Sequence, residues 1–302
     1  MAKSLSVMQT NIGNNIQDTS TSMKALIAVW LNNKYEDIWN RCRWNDITDF
    51  DYTFDTTANI AYVDLPAAFG EEIFVADIAN GHSLTRKRIG ERWRDRTGGY
   101  QADATTAGNP LEYTILKEVI TSTGLPYGQI WFDPKPDTAE TYAMPYKRKF
   151  VKLLGTSDTC TTDTASTIIA SAATFIADGV EVGMRVNNTT DHTYGYVASV
   201  DSETQLTMDT DVCPDGDESI MVSNYPLITG IEQILELGAT GEAWAYKRQF
   251  QKADYYLNRY EIEVLRKVGQ EKTKVNQLSQ FLGPIFTEGG RPIWGNQSYD
   301  SI

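Results

Sequence analysis

The sequence predicts an α+β protein: a helical bundle core with a small antiparallel β-sheet, an inserted all-β domain (sandwich or barrel), and an extended C-terminal arm. Three observations lead there. Apolar residues recur at helical spacing near both ends of the chain, in "MKALIAVWLNNKYEDIWNRCRW" and in "EAWAYKRQFQKADYYLNRYEIEVLRKVG". The period falls to two from Phe50 onward. Acidic charge is concentrated in one block. Between Leu153 and Asn224 twelve acids face one base, Arg185, which leaves 28 acids and 26 bases for the rest of a 302-residue chain of net charge −13.

The first helix places Ile27, Leu31, Ile38 and Cys42 on one stripe, widened by Trp30 and Trp39, and "QDTSTS" offers caps for a start near Thr21 or Ser22. "FDYTFDTTANIAYVDLP" alternates through Tyr52 and Phe54, turns at "TTAN" and returns through Ala61, Val63 and Leu65, as a hairpin or a pair of short strands. "EEIFVADI" reads as a strand and "SLTRKRIGERWRDR" as a short basic helix. "GQIWFDPKP" and "TYAMPYKRKF" are two further strands, the first closed by Pro134 and Pro136, which lack the N–H that a ladder needs.

The acidic block is rich in threonine and valine, with turn signals at "DG", "NN" and "DSET", as in a compact sandwich or small barrel. Its ends are expected side by side, as for an insertion made at one surface point. After Pro226 comes a short helix, broken at Gly238 and Gly241, then a long one. In the long helix Tyr246, Phe250, Ala253, Leu257, Tyr260 and Val264 make a stripe whose natural partner is the first helix. From Thr273 the pattern fades, leaving isolated anchors Phe286, Ile293, Trp294 and Tyr299. The expected organisation is therefore 1–150 and 226–272 as two parts of one core, 151–225 as the inserted domain, and 273–302 as the arm.

Chemistry is sparse. The 41% hydrophobic and 11% aromatic content is that of a globular protein. No run of eighteen apolar residues exists, and the N-terminus has no apolar signal core, so neither a membrane span nor a secretory signal is expected. Cys42, Cys160 and Cys213 have no metal-ligand spacing and are expected as thiols. His82 and His192 stand far apart with no nucleophile motif beside them, and phosphate-loop, dinucleotide and zinc-hydrolase signatures are missing. No catalytic residue, metal ligand or cofactor is expected. Asp209, Asp211, Asp215 and Asp217 in "MDTDVCPDGDE" raise calcium as a question, but Cys213 and Pro214 break the EF-hand pattern. Arg86, Lys87, Arg88, Arg92, Arg94 and Arg96, with Trp93 among them, form a basic run in a chain of pI 4.7; it suits a solvated face or contact with an acidic protein neighbour better than sequence-specific DNA readout.

Four stretches carry a family resemblance: "MKALIAVWLNNKYEDIWNRCRW"; "TFDTTANIAYVDLPAAF"; "GNPLEYTI" with "GQIWFDPKP" and "TYAMPYKRK"; and "YKRQFQKADYYLNRYEIEVLRK". In this order they resemble the head-to-tail adaptors of tailed bacteriophages, the connector family that includes the gatekeeper, or tail tubular protein A, of short-tailed phages. The resemblance covers about half the chain; the insertion 151–225 departs from the small members.

It implies a non-enzymatic virion protein at the head–tail junction, assembled in the host cytoplasm. Copies form a ring, about twelve in the family, between portal and tail, through which DNA passes without sequence-specific binding. Carried over by position, Phe286, Ile293, Trp294 and Tyr299 dock on the portal protein. Trp30, Trp39, Trp44, Phe250 and Leu257 serve core or subunit packing. A nozzle, stopper or other tail protein is the partner at the far end, and the inserted domain is a decoration or a platform for tail fibres. The rival reading is a carbohydrate-binding or adhesion protein using Tyr194, Tyr196 and nearby acids of the β domain.

Overall fold

The structure is a computed structural model that describes residues 3–87, 107–120, 126–161, 164–281, 287–288 and 291–292. In chain order the helices are α1 (Leu5–Asn15), α2 (Thr21–Arg41), the single turn α3 (Phe175–Asp178), α4 (Glu232–Tyr246) and α5 (Phe250–Phe281). The chain divides into two compact units, Met1–Ile47 with Lys149–Lys272, and Thr48–Arg148 with Thr273–Ile302.

In the first unit, α1 begins where the Ser4 hydroxyl accepts from the Val7 N–H, and it buries Leu5, Met8 and Ile12 on one side. Helix α2 is capped the same way by Ser20 and buries Met23, Ile27, Leu31, Tyr35, Ile38 and Trp39. Burying one such side chain is worth about 1.5–3 kcal/mol. These faces meet Ile234, Leu235, Ala239 and Ala243 of α4 and Tyr260 and Val264 of α5 in one apolar cluster.

Helix α4 runs unbroken through Gly238 and Gly241, where breaks were expected. Both glycines are points of close approach. A methyl at Gly238 would come within 2.8 Å of Lys34 Cγ and Tyr260 Cδ2, and one at Gly241 within 2.7 Å of Leu257 Cγ. The chain instead breaks after Tyr246, where Arg248 takes φ +58°.

The acidic segment belongs to the same unit. Its strands are β12 (Thr156–Cys160), β13 (Thr167–Ile169), β14 (Arg185–Asn188), β15 (Tyr194–Ser202), β16 (Gln205–Met208) and β17 (Glu218–Val222), numbered after the eleven strands of the second unit. They form one sheet of order β12-β17-β14-β15-β16-β13. The Thr161 N–H donates to the Ile169 carbonyl at 2.7 Å, so the two edges nearly close a barrel. Alternate residues face a core that includes Phe175, Met184, Val186, Val197, Leu206 and Ile220. Chain entry and exit are adjacent: the Leu154 N–H donates to the Ser223 carbonyl at 3.0 Å and Leu5 N–H to the Asn224 carbonyl at 2.9 Å. Asn32 of α2 brackets the entry, its Oδ1 accepting from Leu153 N–H at 2.7 Å and its Nδ2 donating to the Leu153 carbonyl at 3.0 Å.

In the second unit, β1 (Thr48–Asp49), β2 (Thr53–Asp55), β3 (Tyr62–Asp64), β4 (Phe69–Glu72), β5 (Ala76–Asp77), β6 (His82–Ser83), β7 (Thr85–Arg86), β8 (Glu112–Ile120), β9 (Pro126–Asp133), β10 (Thr141–Ala143) and β11 (Tyr146–Arg148) build three sheets. Their orders are β1-β11-β4, β2-β10-β5-β6 and β3-β9-β8-β7. An aromatic-rich core holds Phe54, Tyr113, Phe132 and Tyr142, with the Phe54 and Tyr142 rings stacked at 5.9 Å.

Four further expectations are corrected. The fold class is mixed and predominantly β-rich, without a helical bundle as its core: two of the three apolar clusters are strand-built, and the segment expected to give one small sheet gives three. Strands β2 and β3 do not pair with each other; β2 pairs with β10 and β3 with β9, partners too distant in sequence for local periodicity to show. The expected basic helix begins as a strand, because Thr85–Arg86 pairs in parallel with Glu112–Tyr113. The C-terminal stretch also differs from a simple extended arm. Helix α5 continues to Phe281, and Thr287–Glu288 pairs with Arg291–Pro292.

Candidate interaction surface

Helix α5 buries Ala253, Tyr260, Val264 and Glu271, a line that repeats every seven or four residues. On the far side Tyr255 and Ile262 are 56% and 63% exposed. At 3.6 residues per turn those two lie about 180° around the helix from the buried line. Leu265, 59% exposed, stands on the flank one turn beyond Ile262, while Phe250 at 64% and Tyr246 at 60% stand at the α4–α5 break. A solvent-facing helix normally carries polar residues there. Arg259, between Tyr255 and Ile262 in sequence, donates from its guanidinium to Tyr255 Oη at 3.2 Å and lies over that ring.

The buried side is held by a polar hinge between α2 and α5. Arg41 bonds Asp37 through Nε and Nη2 at 3.0 Å each, and Glu261 through Nη1 and Nη2 at 3.0 Å each. The Tyr260 hydroxyl donates to Asp37 Oδ2 at 2.6 Å. Burial by itself would raise the Asp37 carboxyl, but the hydrogen bonds from Arg41 and Tyr260 outweigh it and hold that carboxyl below its ordinary value. Burial, then the Asp37 carboxylate, pushes the Tyr260 phenol up. Nearby, Asn45 N–H donates to the Glu271 carboxylate at 3.0 Å.

Of the residues singled out for packing, Trp39 and Trp44 are fully buried, and Trp44 Nε1 donates to the Ile38 carbonyl at 2.9 Å. Trp30 is half-buried against the Tyr246 ring at 5.8 Å. Leu257 is half-buried at the α4–α5 crossing, opposite Gly241. Phe250 is exposed, which removes it from the core. Of the basic run, Arg86 pairs within its own unit, Nη1 lying 2.8 Å from the buried Glu72 carboxylate. Arg88, Arg92, Arg94 and Arg96 lie outside the described residues, as do Phe286, Ile293, Trp294 and Tyr299, the residues expected to dock on a portal.

In the barrel, Tyr194 is 58% exposed, with the Tyr196 ring edge-on at 6.3 Å and the Arg185 guanidinium 5.6 Å from its centroid. All three cysteines are thiols. Burial, followed by its neighbours Cys160 and Glu218, raises the Cys213 thiol well above its ordinary value. Of the four acids considered for calcium, Asp209 is engaged elsewhere, accepting from Tyr196 N–H at 2.7 Å. Asp215 instead converges with Asp191 and Glu218, two acids that the local motif did not include. Asp191 beside it, then burial, holds the Glu218 carboxyl above its ordinary value.

No protein-family model matches the sequence, and no curated protein is significantly similar to it.

Proposed function

We propose that the protein is a non-enzymatic structural subunit of a phage head–tail junction. Copies assemble into a ring between the portal and the tail and leave an axial passage for DNA. The reading is supported by the ordered resemblance of the four stretches named above and, in the fold, by one observation. Helix α5 exposes Tyr255 and Ile262 opposite the line it buries within its own unit, with Leu265 on the flank beside Ile262. An apolar face of this kind is accounted for by a protein partner. In a ring of identical subunits that partner is the next copy, engaged head-to-tail through a different patch of its surface.

The test is to introduce charge on that face. The double substitution Ile262→Glu and Leu265→Glu is expected to leave far-UV circular dichroism unchanged and to abolish ring formation on portal particles in sedimentation. Undiminished rings in the double variant would contradict the assignment of this face.

A second reading, glycan binding through the barrel, is favoured by the exposed Tyr194 ring flanked by Tyr196 and Arg185. It predicts saturable binding to host-surface polysaccharide that Tyr194→Ala removes without affecting assembly.

A further inference from the structure

The barrel carries a polar cluster that the proposed assembly role does not use. Carboxylate oxygens of Asp191, Asp215 and Glu218 all lie within 4.8 Å of one another. Glu218 opens β17 at a position facing inward, like Ile220 and Val222 after it. It is 3% exposed, and no donor reaches either of its carboxylate oxygens in well-aligned hydrogen-bond geometry, the Asn188 side chain and the Asp215 backbone being its polar neighbours. A buried carboxylate without a well-aligned donor is costly, and two further carboxylates beside it add repulsion. No ion pair to these three acids is seen among the described residues, and Arg185, the one Lys or Arg between Leu153 and Asn224, lies over the Tyr194 ring.

The fold nevertheless holds the three acids together. Asn188, 1% exposed, accepts from the N–H groups of Thr190 and Asp191 at 2.8 and 3.2 Å, and donates to the Val212 carbonyl at 2.9 Å. The same loop is clamped to β17, with Thr189 N–H donating to the Ser219 carbonyl at 2.8 Å and Ser219 N–H donating to Thr190 Oγ1 at 3.1 Å. These bonds fix the backbone that carries Asp191 beside the start of β17.

We propose that Asp191, Asp215 and Glu218 bind a calcium ion at the rim of the barrel. The donors are three carboxylates, the ligand type of hard cations, whereas zinc and copper sites draw on histidine and thiolate. One buried and two exposed acids make an uneven, partly open shell. Calcium accepts this readily, completing six to eight ligands with water and backbone carbonyls, while magnesium demands near-ideal octahedral geometry. The ion supplies a counter-charge for Glu218 and ties the loop of Asp191 to the turn of Asp215.

The test uses the full chain, stripped with a chelator and titrated calorimetrically at neutral pH with calcium chloride and, in parallel, magnesium chloride. About one calcium ion per chain is expected, with a rise in the thermal midpoint, because a ligand that binds only the native state stabilises it by mass action. Asp191→Asn and Asp215→Asn are surface substitutions that retain the fold; each is expected to weaken calcium binding by roughly tenfold or more, in line with the dependence of affinity on ligand charge. Glu218→Gln should abolish binding while raising the thermal midpoint of the stripped protein, since it removes the buried charge. Absence of saturable calcium binding up to about 10 mM, beyond the weakest extracellular sites, would overturn the proposal. So would unchanged affinity in both aspartate variants, or a preference for magnesium.

Discussion

The Tyr260 hydroxyl donates to the Asp37 carboxylate at 2.6 Å, joining α2 to α5 across a sequence separation of 223 residues. Everything between them, including the whole barrel, leaves and returns without breaking this bond. Arg41 reinforces it by bonding both Asp37 and Glu261. The surface that α5 presents outward is therefore set by a polar lock on its inner side.

Tyr260→Phe is expected to destabilise the chain by about 1–2 kcal/mol, since it removes a hydrogen bond to a charged acceptor at a partly buried position. Chemical denaturation measures this. Tyr256→Phe is the control: its hydroxyl lies 3.2 Å from Asn15 Nδ2 in an exposed contact. That change should stay within about 0.5 kcal/mol. A double-mutant cycle of Tyr260→Phe with Asp37→Asn should show coupling between the two sites.

The lock is pH-dependent with a definite sign. The Asp37 carboxyl is held below 3.8, its ordinary value, in the folded chain, so the unfolded chain takes up a proton more readily as acid is added. The stabilisation from Asp37 is thus fully present above about pH 4 and lost as pH falls through the depressed folded value. Asp37→Asn should lower the denaturation midpoint at pH 7, and the gap to the parent chain should shrink toward pH 3. With Asp37 partly exposed, the effect at neutral pH is about 1 kcal/mol or less. A gap that widens in acid would contradict the sign.

Gly241→Ala is expected to cost about 1–3 kcal/mol by overpacking, because its methyl would meet Leu257 Cγ at 2.7 Å in an interior crossing. Gly238→Ala belongs to the same class, eased to the extent that the Lys34 stem can move. Gly269→Ala in α5 should do the reverse. Nothing lies within 4 Å of its added methyl, and alanine favours an exposed helix over glycine by about 0.5–1 kcal/mol. Thermal midpoints of the three variants check the ordering.

These residues also show what the amino-acid order made legible. Helix α2 could be read because its cap, Ser20, and its apolar repeat lie within one local window. Helix α1 carries the same kind of signal in Ser4, Leu5, Met8 and Ile12, but the polar residues between them weaken the apolar repeat. Gly238 and Gly241 look like helix breakers until Tyr260 and Leu257 are set against them, since a glycine's role depends on what crosses it. The true break at Arg248 has no glycine or proline to announce it. Strand partners were hidden for a similar reason: Phe54 faces Tyr142 of β10, far along the chain. In the acid cluster, Asp215 was visible as part of an acidic turn, whereas Asp191 arrives from a different loop and Glu218 is distinguished only by its burial.

The central claim is assembly on a portal, and electron microscopy of the full chain mixed with portal rings tests it most directly. The account predicts a second ring, coaxial with the portal and of about twelve subunits, with an open axial channel. Portal rings that stay bare while this chain remains monomeric beside them would contradict it.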